Sequence, residues 1–166
     1  MILGMSTATY TLLHVLISLA GIASGLVVMF GLLTRKRLDG WTAVFLTTTA
    51  LTSITGFGFP FHSLLPSHIV GIVSLVVPAI VIPARYAFHL AGPWRWIYVI
   101  GSAIALWFNV FVLIAQSFQK VPALRELAPT QTEPPFVAAQ VLALLIFATL
   151  AVFATVRFQS EGVPAA

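Results

Sequence analysis

The chain has 166 residues, 60% of them hydrophobic and 7% charged, with a mean hydropathy of +1.05. A soluble domain carries roughly 25% charged residues, so this composition excludes a chain that covers its own surface in water and predicts a polytopic membrane protein. A formal charge of +4 from 8 basic and 4 acidic residues is too sparse for a nucleic-acid surface, and the absence of cysteine removes disulfides, thiolate metal sites and cysteine nucleophiles.

The opening stretch MILGMSTATYTLLHVL has no basic residue ahead of its apolar run. A cleavable signal needs a positive start, so this segment is expected to be retained as the first helix. A bilayer core of about 30 Å needs roughly 20 apolar residues of helix. Segments 10–33, 41–59, 69–90, 96–118 and 136–156 reach that length, which predicts an all-α bundle of five transmembrane helices in one domain spanning 1–166. The second segment is the shortest and most polar.

The connections carry breakers. TRKRLDG follows the first helix, PFHSLLPSH the second, and AGPW makes a tight turn before the fourth. The longest connection, 119–135, holds Pro122, Pro129, Pro134 and Pro135, which bar one continuous helix. A short helix over 122–128 with proline at its start is expected there, with Val121, Leu124, Leu127 and Ala128 on one face. Placing the N-terminus outside and the C-terminus inside puts Arg35, Lys36, Arg37, Arg85, Arg95 and Arg157 at the cytoplasmic side. Only Lys120 and Arg125 then lie outside, so the positive-inside bias fixes that orientation. The expected location is a bacterial-type inner (plasma) membrane.

Arg85, His89, Trp94, Arg95 and Trp96 cluster where the third and fourth helices meet the cytoplasmic interface. Long cationic stems snorkel and aromatic rings sit at headgroup level, so these residues read as lipid or interface anchors. Arg85 and Arg95 also have the chemistry to clamp an anionic headgroup. His14, His62 and His68 fall on the outer side, where two imidazoles at one level are the ligand set of a bis-His haem, making haem b the candidate cofactor. Asn109, Gln116 and Gln140 are polar side chains within the membrane that should face the bundle interior, and Asn109 needs a partner, either a threonine of the second helix or a carbonyl freed in the third.

Gly21 and Gly25 form a GxxxG pair, Gly101 and Ala105 repeat the spacing, and the hydroxyl-rich TTTALTSITG of the second helix suits close helix contact. Pro78 and Pro83 each remove an amide donor inside the third helix and free a carbonyl one turn earlier. No acid lies inside the expected spans, and no Walker loop, HExxH or GxSxG is present. The leading expectation is therefore an accessory or assembly subunit without its own catalysis. Its partners are membrane lipids and a larger membrane-protein complex or a second copy in a homodimer. A haem- or quinone-binding electron-transfer module and a small permease or channel are the alternatives.

Overall fold

The computed structural model describes residues 2, 4–59 and 66–159, with backbone alone for 66–69. It is 81% helical, without a strand among the described residues. In chain order the elements are α1 (Thr7–Leu33), α2 (Asp39–Gly56), α3 (Pro66–Tyr86), α4 (Trp94–Lys120), α5 (Pro122–Leu127) and α6 (Pro134–Arg157). Among the described residues, α1, α4 and α6 are long and apolar enough to cross a membrane. The architecture is compatible with a membrane protein, whose backbone polar groups must bond within helices because lipid offers them nothing.

Local chemistry sets the helix ends. α1 starts at Thr7 because the Ser6 side chain caps it, accepting from the Thr9 amide at 3.1 Å. It stops at Thr34, where Arg35 turns to φ 61° and the Lys36 amide reaches back to the Gly31 carbonyl at 2.8 Å. That is a Schellman closure with arginine where glycine is usual. α3 ends at Tyr86, earlier than its apolar run suggests. The Pro83 carbonyl accepts from both Ala87 and Phe88, and His89 and Leu90 then take φ 49° and 61°, where a right-handed helix cannot continue. The turn is held by Leu90, which is buried, and by Phe88, whose ring stacks on Trp94 at 3.8 Å. α2 begins at Asp39, two residues before its expected start, so one acid does sit in the first turn of an apolar helix.

Helices α1, α2, α3 and α4 pack in a ring, and α6 lies in the groove between α1 and α4. Cross-helix bonds show neighbours running in opposite directions. Tyr10 near the start of α1 donates to the carbonyl of Thr55 near the end of α2 (2.7 Å), and Asp39 at the start of α2 pairs with Arg85 at the end of α3. The bundle thus has a basic end, with Arg35, Lys36, Arg37, Arg85, Arg95 and Arg157, and an opposite end with Lys120, Arg125, Glu126 and Glu133.

The interior is lined by small hydroxyl residues while large apolar side chains face outward. Ser24, Thr42, Thr49, Ser53 and Ser102 are buried, whereas Leu16, Leu26, Phe30, Ile80, Leu142 and Val156 are exposed. Gly21 and Gly25 let α1 approach its neighbours. A Cβ at Gly25 would lie 2.7 Å from Leu106 Cδ1 of α4 and 2.8 Å from Phe45 Cε2 of α2. The GxxxG pair therefore works inside the bundle.

Candidate functional site

Three levels of polar side chains cross the bundle. At the basic end, the Arg85 guanidinium turns inward, 5% exposed, and its Nη2 donates to Asp39 Oδ1. The side chain also lies over the Tyr98 ring, 5.6 Å from its centroid, and the Tyr98 hydroxyl meets Thr42 Oγ1 at 3.1 Å. Arg37 stands 3.9 Å from the same Asp39 oxygen, so one exposed carboxylate serves two arginines. Arg85 Nη1 is buried with no partner. Lys36, Arg37, Thr42, Arg85, Tyr98 and Phe158 line one cleft here, too tight as the side chains stand to admit a water-sized molecule.

This corrects the outward reach expected of Arg85. An exposed carboxylate across the helix pair gives the cation a closer partner than the headgroups, and α3 ends one residue beyond it. Arg95 is half-buried. Its Nη1 donates to the Phe158 carbonyl at the C-terminus of α6, where a cation suits the unsatisfied carbonyls, and its guanidinium lies over Trp96 at 4.7 Å. His89 and Trp96 are exposed, and Trp94 is half-buried beneath Phe88.

At mid-bundle, Asn109 Nδ2 of α4 donates to Thr49 Oγ1 of α2 at 3.0 Å, beside Gly21 of α1. Ser53 Oγ lies 3.4 Å from the Ser74 carbonyl. That carbonyl is one turn before Pro78 and has lost its usual amide donor, and the Ser53 hydroxyl beside it is shared with the Thr49 carbonyl of its own helix at 3.1 Å. α3 remains a continuous helix through Pro78 and Pro83.

At the opposite end, His14 Nδ1 and Thr55 Oγ1 are 2.8 Å apart. Thr55 Oγ1 also lies 2.7 Å from the Leu51 carbonyl, and with its proton directed there His14 would donate through Nδ1, leaving Nε2 free. The Phe59 ring stands edge-on to His14 and to Tyr10. His62 lies outside the described residues, and His68 falls in the first turn of α3, where only the backbone is described. No group of three His, Asp or Glu fit to hold a metal ion occurs among the described residues.

Gln140 Nε2 of α6 donates to the Phe111 carbonyl of α4 at 3.1 Å, while its Oε1 is buried without a partner. Gln116 differs from expectation: it is exposed, because its position on α4 faces away from the helices that cover Phe118. Beyond it, Gln131 ties the connecting loop to α4 through the Ala115 carbonyl (2.7 Å). Glu133 closes the loop before α6, accepting from the Thr130 hydroxyl (2.8 Å) and from the Thr130 and Thr132 amides. Slight desolvation raises its pKa, but these bonds outweigh it and hold the carboxyl below the ordinary carboxylate range.

Asp39, Tyr98 and Thr42 are the functional candidates that the sequence reading missed. The signal for Asp39 was present: it is the acid nearest Arg85 once the first loop and the end of the third helix share one end.

The chain matches no protein-family model, and comparisons with curated proteins and with solved structures return no match.

Proposed function

We propose that the chain is a five-span integral membrane protein, N-terminus out and C-terminus in, acting as a non-catalytic accessory or assembly subunit of a larger membrane complex in a bacterial-type inner membrane. At 1.5 Å per residue, α2 extends about 27 Å and α3 about 31 Å, close to the bilayer core. α2 is bonded near its C-terminus to the longer α1, and α3 packs along the longer α4, which supports a full crossing for each. The positive-inside bias of the basic end supports the orientation.

The observation that carries the subunit reading is that polar groups of the interior bond across helices, Asn109 to Thr49 and Thr42 to Tyr98. Such pairs hold a bundle together. The surface for a partner is then the outer α5 segment, where Val121 and Leu127 remain exposed on a loop anchored by Gln131 and Glu133. A photocrosslinking side chain at Leu127, activated in native membranes, should give one discrete adduct absent from the same probe at Leu142 on the lipid face of α6. A monomer without an adduct at either position overturns the reading.

A second reading has one observation in its favour. His14 is bonded to Thr55 through Nδ1, so Nε2 is the ring nitrogen left for a haem iron or a quinol. A visible spectrum of the purified protein before and after dithionite tests it. A reducible Soret band lost on H14A supports this reading, and a featureless spectrum removes the haem form of it.

A further inference from the structure

We propose that the cleft at the basic end is a binding site for a phosphate group, built around Arg85. Lys36, Arg37 and Arg85 bring three cations to one opening, and among the described residues Asp39 is the only acid bonded to them. Among the described residues the local charge is therefore positive even with Asp39 ionised. Arg85 is more than nine-tenths buried, yet its Nη1 has no partner. A buried guanidinium nitrogen without an acceptor is costly, and its fork geometry matches phosphate oxygens. The Thr42 and Tyr98 hydroxyls line the same cleft.

As the side chains stand, the cleft is too tight to admit a water-sized molecule, so a ligand needs it to open. Phosphate enters as the exposed Lys36 and Arg37 side chains swing outward and re-form around it, with Arg85 fixed beneath by Asp39 and Tyr98. A nucleoside does not fit. The ligand is the phosphodiester of an anionic lipid or free inorganic phosphate, and both present the same oxygens. The inference is separate from the subunit reading. Only the lipid form of it rests on this end of the bundle meeting headgroups.

The test uses the full chain in neutral detergent, examined by native mass spectrometry with phosphatidylglycerol and phosphatidylcholine in equal amounts, and then with inorganic phosphate added. The expected result is one phosphatidylglycerol retained per chain over phosphatidylcholine, with the preference falling about tenfold in R85Q and in the surface variant K36Q/R37Q. Phosphate that binds with the same sensitivity to these variants, where phosphatidylglycerol shows no preference, supports the site with a soluble ligand. Absence of both binding events overturns it, as does a lipid preference unchanged in K36Q/R37Q, which is decisive even where R85Q does not fold.

Discussion

The two ends of the bundle are held by different chemistry. The basic end is ionic: Asp39 joins Arg37 and Arg85, Arg85 lies over Tyr98, and Arg95 closes the C-terminus of α6. The opposite end is neutral where helices meet, with Tyr10, His14 and Thr55 bonded among themselves, and its charges among the described residues lie at the end of α4 and in the loop that follows. A buried cation needs an acid within reach, whereas hydroxyls and imidazole close their own bonds at lower desolvation cost. The basic end is thus the one a single charge change disturbs most, and the opposite end has the exposed loop.

Substitutions sharpen that contrast, and the largest effect lies between the ends. Gly25→Val puts a branched side chain against Leu106 and Phe45 and should cost about 3 kcal/mol, read as unfolding free energy in an SDS titration. An unchanged midpoint would mean that α1 is not seated on α2 and α4 at this level. Asp39→Asn comes next. It leaves Arg85 buried without its anion, but Asp39 is itself 68% exposed, so the loss falls between a surface and a buried pair, at about 2 kcal/mol. The same titration on Thr55→Ala, at the neutral end, should show a smaller loss.

Asn109→Leu removes one interhelical bond and should cost about 1 kcal/mol, within the range of such bonds in bilayers. Arg35→Gly relieves a left-handed arginine and should stabilise the first loop by about 1 kcal/mol, checked by the same unfolding midpoint. The smallest effect is at Glu133. Its pKa is depressed in the folded loop, so its contribution is complete above the unfolded carboxylate pKa and is lost as pH falls through the folded value. Amide exchange at Thr130 and Thr132, corrected for intrinsic rate, should therefore accelerate in acid in the native chain. In E133Q the pH dependence should be absent.

Helix positions were largely legible because an apolar run of spanning length dictates a helix whatever it packs against. That Asn109 must find a polar partner was legible because a deep carboxamide needs one, but the choice of Thr49 over a freed carbonyl of α3 was not. Helix ends were less legible than helix positions. α3 stops at Tyr86 inside an apolar run because Phe88 stacks on Trp94 and Leu90 folds inward, contacts made only after α4 is in place. The direction of Arg85 depended likewise on α2 starting at Asp39 and on its register against α3. Spacing in Gly21 and Gly25 announced a close contact but carried no information on whether it was with α2 and α4 or with another chain.

The most direct test of the five-span account exploits the natural absence of cysteine. Single cysteines at Thr34, Phe57, Ala91 and Ala123 are treated in intact cells with a membrane-impermeant maleimide. The account predicts labelling at Phe57 and Ala123 from outside, and at Thr34 and Ala91 only after permeabilisation. Protection of Phe57 together with Thr34, while Ala123 still labels, would contradict it by leaving only α1, α4 and α6 across the membrane.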